Sequence, residues 1–149
     1  MRRIRVQTED FDAARECAAL TAGRPAIGAV VTFIGLVRGG NGLSALTLEH
    51  YPGMTEREIA RHVDEAESRW PLVGATIIHR VGRFEPGERI VLVAVASAHR
   101  DAAFQSAEFL MDYLKTRAPF WKQEHRGAES KWVEEKNSDE IAAIRWRPD

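Results

Sequence analysis

The stretch Arg89-Ile90-Val91-Leu92-Val93-Ala94-Val95-Ala96-Ser97-Ala98-His99-Arg100-Asp101 changes character near its end, and that change decides the fold class. From Arg89 to Ala98 it is the most strand-like segment of the chain, rich in β-branched residues and free of breakers. Beyond Asp101, which predicts a helix cap, apolar residues recur at helical spacing: Ala103, Ala107, Leu110, Met111 and Leu114. That helix must end before Pro119. Upstream, Glu85-Pro86-Gly87-Glu88 reads as a turn from a strand over Ala75 to Gly82. Before it, Ile59, Val63, Ala66 and Trp70 form a helical stripe that starts near Thr55, after Pro52-Gly53, and stops at Pro71. The first third predicts a strand at Ile4–Gln7 and a helix over 11–21. Asp10 is its expected cap, and Phe11, Ala14, Cys17 and Leu20 its stripe. A buried strand over Ala26 to Val37, a Gly-rich loop and a strand from Ala45 to Tyr51 follow. After Pro119 come two short extended pieces, Phe120 to His125 and Lys131 to Glu135, and a polar tail with helical character. The order β-α-β-β-α-β-β-α-β-β mixes helices among strands without strict alternation. It predicts an α+β fold, largely antiparallel, with the helices on one side of the sheet.

The 149 residues contain no repeat, low-complexity segment or linker, so one domain over residues 1–149 is expected. An apolar share of 44% with 29% charged residues excludes collagen-like and disordered chains. The longest apolar run, Ala26 to Val37, falls well short of the roughly 20 residues a membrane span needs. Met1-Arg2-Arg3 is basic, but Asp10, Asp12 and Glu16 stand where a signal peptide would be apolar. With a single cysteine, a cytoplasmic protein without disulfides is expected. A net charge of −1 argues against a nucleic-acid coat. Four of the 21 basic residues are lysines, and all four (Lys115, Lys122, Lys131, Lys136) fall in the last quarter.

The motifs of metal sites, nucleophile elbows and phosphate-binding loops are missing, so no metal ligand is assigned. Cys17 lies on an apolar stripe and reads as a small buried hydrophobe. Three features remain. His99-Arg100 stands between the strongest strand and a helix start, where backbone N–H groups and the helix dipole favour anions; a packed His99 and a surface ion pair for Arg100 explain it equally simply. Arg38 opens the loop Gly39-Gly40-Asn41-Gly42, which lets backbone approach a ligand or merely connects a hairpin. The segment Tyr113-Leu114-Lys115-Thr116-Arg117-Ala118-Pro119-Phe120-Trp121-Lys122 sets three cations among aromatics at a helix end. There they complement the dipole, or bring Lys115 and Lys122 onto one cavity as acid, base or nucleophile. Glu49-His50-Tyr51 reads as structural. Together these residues describe a cationic pocket for a small phosphorylated or carboxylated ligand, and they do not name it.

Several segments resemble the catalytic, large subunit of molybdopterin synthase, the MoaE family. They are Thr32 to Arg38, Leu48 to Met54, His79 to Gly82, Ser97 to Arg100 and, most specifically, Met111 to Lys122. The resemblance runs from about residue 3 to Trp146. It implies an α/β hammerhead fold with an additional small antiparallel β subdomain, assembled as a homodimer. It also implies a small ubiquitin-like partner subunit, giving a heterotetramer. The partner's C-terminal Gly-Gly tail carries a thiocarboxylate that supplies sulfur to cyclic pyranopterin monophosphate, forming the dithiolene of molybdopterin. No cofactor of the chain's own is implied. By position, Lys115 resembles the family's essential lysine and Lys122 its second. Arg38, His99 and Arg100 resemble substrate-binding residues, flanked by Leu36, Val37, Gln123 and Glu124. The loop after Arg38 is shorter than in some members, and Arg145 is a candidate to reach a neighbouring subunit's site. The rival reading is a non-catalytic, homo-oligomeric module that binds a phosphorylated metabolite.

Overall fold

A computed structural model describes residues 1–133 and 144–148. Its order is β1 (Arg2–Gln7), α1 (Ala13–Thr21), β2 (Ala29–Leu36), β3 (Ala45–His50), α2 (Met54–Arg69), β4 (Leu72–Arg80), β5 (Gly82–Phe84), β6 (Arg89–Ser97), α3 (Arg100–Thr116), β7 (Phe120–Arg126) and β8 (Glu129–Val133). The strands form two four-stranded sheets, ordered β1-β4-β6-β2 and β5-β3-β7-β8. Only β1 and β4 pair in parallel; every other described pair is antiparallel. The fold is α+β, with the expected small antiparallel sheet beside the main one. The polar tail over 134–143 lies outside the described residues.

The unbroken apolar run of β6 is explained by burial on both faces. Val91, Val93 and Val95 join Ile59, Val63 and Ala66 of α2 and Leu110 of α3 in the main core. The alternate residues face α1: Leu92 packs with Phe11 and Ile78, and Ala94 and Ala96 with Leu20. The helices therefore cover both faces of this sheet, not one, because β4 and β6 each present two apolar faces. Cys17 packs half-buried beside Leu20, its Sγ 3.2 Å from the Thr32 hydroxyl.

Four further expectations are corrected. The strand expected over Ala75 to Gly82 is two: Gly82, at φ 121°, lets the chain leave the main sheet after Arg80 and join the small one as β5. Asp12, not Asp10, caps α1 by accepting from the Arg15 N–H, whereas Asp10 accepts from Phe11 N–H and pairs with Arg89 at 2.6 Å. His99 occupies the N-cap of α3, and Asp101 sits in the first turn, where its charge favours the positive end of the helix dipole. The strand over Ala26 to Val37 is not buried. As an edge strand, β2 leaves Val30, Phe33, Ile34 and Leu36 between 36% and 56% exposed. Glu16, buried in α1, is held by Arg3 and Arg5 at 3.1 and 3.2 Å. Among the described residues no helix is long and apolar enough to cross a membrane.

Candidate active site

A cavity of about 740 Å³ lies between the two sheets, at the C-terminal end of α3. Its apolar walls come from both sheets and α3, with Leu46 and Leu48 of β3, Ile90 and Val91 of β6, and Met111 and Leu114 among them. Its titratable side chains are Arg38, His79, Lys115, Lys122, Glu124 and Arg126. The local sequence places each of these. Helix α3 closes when the N–H groups of Arg117 and Ala118 both donate to the Tyr113 carbonyl; Pro119 cannot continue it, and the chain turns directly into β7. Lys115 thus stands in the last helical turn, close in sequence to the strand that carries Lys122.

Strand alternation then sorts β7. Phe120, Lys122, Glu124 and Arg126 line the cavity, while the intervening residues face the other way. His125, on that reverse face, is held 2.7 Å from both the Thr47 and Ser130 hydroxyls. Gln123 shares its parity, opposite Thr47 of β3 and Trp132 of β8, and is outside the cavity lining. Glu124 and Arg126 pair at 2.6 Å and offset each other's charge, and Arg38, Lys115 and Lys122 are the other cationic side chains of the lining.

The glycine loop forms one rim. Its base is tied to the β5–β6 turn, Val37 N–H donating to the Glu88 carbonyl and Gly87 N–H to that of Val37. Its tip runs through Gly40, Asn41 and Gly42, all at positive φ (116°, 52° and 72°). Arg126 Nε donates to the Asn41 carbonyl at 2.9 Å, which moors the tip to β7. Leu36, Val37 and Arg38 lead into this rim and line the cavity.

His99 and Arg100 lie elsewhere. They begin the helix that Lys115 ends, and 15 residues of helical rise put roughly 22 Å between Arg100 and Lys115. Both are exposed, and within one chain neither lines the cavity. Arg145 pairs with Glu108 and Asp112 of its own chain, each at 2.7 Å. Tyr51 packs edge-on against Trp121, and Glu49 is exposed.

Sequence reasoning passed over two titratable lining residues. Arg126 follows from the parity of β7 once Lys122 is placed. His79 sits on the face of β4 that carries Ala75 and Ile77, so a histidine on an apolar stripe was the available signal. It is buried, stacked on Phe120 with ring centroids 4.0 Å apart. Burial pushes its imidazole down to about 4, with the charge of Lys115 and His50 acting in the same direction.

Comparison with known proteins places these features in a family. Residues 6–117 match the family model described as MoaE protein. A molybdopterin synthase catalytic subunit from Mesorhizobium japonicum is 63% identical over 147 residues, covering 97% of this chain and 92% of the relative. The solved molybdopterin biosynthesis MoaE protein of Burkholderia ambifaria MC40-6 superposes with a TM-score of 0.85 at 49% identity, over 98% of both chains. A chain in the complex of subunits 1 and 2 of the molybdopterin-converting factor of Helicobacter pylori 26695 shares the fold, at TM-score 0.73 and 19% identity over 91% of each.

Proposed function

The chain belongs to the MoaE family, and on that premise we propose that the cavity is where sulfur passes from a partner's C-terminal thiocarboxylate to cyclic pyranopterin monophosphate in molybdopterin synthesis. The observation that carries this reading is that Lys115, from the end of α3, and Lys122, from β7, line one cavity together with Arg38. A narrow, extended Gly-Gly tail suits a cleft between two sheets, and cationic walls suit a phosphorylated substrate. In each transfer the tail's sulfur bonds to a substrate carbon as the oxygen it replaces departs, the acyl carbon–sulfur bond of the tail breaks, and water supplies the oxygen that leaves a carboxylate on the partner. Lys115 is the general acid/base of that exchange, or its transient covalent acceptor, and Lys122 stabilises the negative charge that develops. The sulfur arrives on the partner, so the chain is asked for no thiol, metal or cofactor of its own.

The partners are a small ubiquitin-like subunit and a second copy of this chain, forming a heterotetramer. The related fold solved in a two-subunit complex supports the first. The exposed apolar residues of β2 support the second, since an edge strand carrying Phe33, Ile34 and Leu36 gains from being covered. A second copy is also the route by which His99 and Arg100 reach a cavity, because their own lies a helix length away. The single cysteine supports a cytoplasmic setting.

The test is single-turnover transfer with a thiocarboxylated small subunit and cyclic pyranopterin monophosphate, product being read as oxidised, fluorescent molybdopterin. Wild type forms product, and Lys115→Ala slows formation by about 10²-fold or more, the range for loss of a general acid/base. No product from a folded wild type and an active donor would favour a binding module; an unimpaired Lys115→Ala would remove that lysine from the chemistry.

A further inference from the structure

His79 is a buried titratable group in the cavity wall to which the transfer step assigns no task. It occupies the last but one position of β4, opposite Val6 of β1 and Val91 of β6, with its ring stacked on Phe120. Its Nδ1 lies 2.9 Å from the Arg80 carbonyl oxygen. A carbonyl only accepts, so Nδ1 carries the hydrogen, and in the neutral ring the distal Nε2 keeps its lone pair. Burial holds the ring neutral through the physiological range.

Charged groups share the cavity wall with that lone pair or stand on the helix beside it. Lys122, Glu124 and Arg126 come from β7 and Arg38 from the rim loop; Glu124 is engaged by Arg126. On α3 and its end stand Asp112, engaged by Arg145, and Arg117. His50 of β3 acts on the His79 ring. Beside an ammonium in this wall a neutral acceptor is favourable, whereas an imidazolium would add a like charge.

We propose that His79 is a positioning residue for sulfur transfer: its Nε2 is a fixed neutral acceptor in the cavity wall that orients the Lys115 side chain and stabilises its ammonium form. The inference rests on the cavity being the transfer site and assigns to β4 the control of when Lys115 holds a proton.

Two variants separate this role from packing. His79→Phe keeps a ring to stack on Phe120 and removes both nitrogens, whereas His79→Gln keeps an acceptor at a similar reach. Only four lysines are present, so the Lys115 amine can be titrated directly by NMR on the full chain labelled at lysine. The Lys115 midpoint is expected to fall by roughly one pH unit in His79→Phe and to return toward wild type in His79→Gln. In the transfer assay, His79→Phe should lower the rate at saturating substrates about tenfold and move the alkaline limb down in step, with His79→Gln restoring both. Identical Lys115 midpoints in all three proteins would overturn the proposal, whatever their activity. So would ring-nitrogen spectra of wild type showing the hydrogen on Nε2, or a loss of rate in His79→Phe with Lys115 unmoved. The titration needs no substrate, so a wild type without transfer activity would count against the transfer reading and leave this inference to be decided by the midpoints.

Discussion

The two sheets have the same number of strands and put them to different uses. In the main sheet, β6 is buried on both sides from Ile90 onward, and its side chains serve packing, with Ile90 and Val91 also forming apolar cavity wall. In the small sheet, β7 alternates: one parity lines the cavity with Lys122, Glu124 and Arg126, and the other carries Trp121, Gln123 and His125. The backbone ladder is what the two have in common. Where helices cover both faces, the side chains are committed to the core; where one face opens on a cavity, they are available for chemistry. His79 is the exception, since it is a titratable group that the packed sheet places in the cavity wall.

The sharpest way to break the contrast is to damage each sheet in turn. Leu92→Ala, at a fully buried site of the main sheet, should cost about 2–5 kcal/mol in urea unfolding, with the transfer rate of the folded fraction unchanged. Lys122→Ala should do the reverse, slowing single-turnover transfer by about 10–10²-fold while leaving the unfolding midpoint in place. Loss of both properties in either variant would mean that packing and chemistry are not divided between the sheets.

A third measurement concerns the exception. A histidine free to titrate in the unfolded chain near 6.5 but pushed down to about 4 in the folded one binds its proton first when unfolded. Stability is therefore full above about pH 6.5 and declines as the pH falls toward 4. By pH 4.5 this amounts to about 2 kcal/mol, and the difference should vanish from urea unfolding curves of His79→Gln compared at pH 7 and 4.5. The smallest effect belongs to the reverse face of β7: Gln123→Ala should change transfer by less than about twofold, because parity turns that side chain from the cavity. A tenfold loss there would mean that Gln123 meets substrate or partner on another surface.

How much of this was legible differs between the sheets for a physical reason. Burial on both faces writes itself into composition, so β6 and the stripe Ile59, Val63 and Ala66 could be read directly. Val81–Gly82 could not: a crossing between sheets depends on one glycine at positive φ inside an otherwise continuous apolar segment. The exposed edge of β2 was misread because residues that await a partner surface are as apolar as residues already in a core. The lysines of the site were found through their aromatic setting and a family likeness. His79 and Arg126 needed to be placed on a strand face before their direction had meaning. The separation of His99 and Arg100 from Lys115 follows from helix length, a quantity that nearness in a motif does not convey.

The order in which the strands are threaded has one more consequence. The chain visits the main sheet at β1 and β2, the small one at β3, the main one at β4, the small one at β5, the main one at β6, and the small one again at β7 and β8. A backbone cut at Pro52–Gly53 or Pro86–Gly87 therefore gives each fragment strands from both sheets, and neither fragment owns a finished wall. Severed halves would have to interleave to regain the cavity, which makes the ability to transfer sulfur a readout of whether two pieces of this chain have found each other.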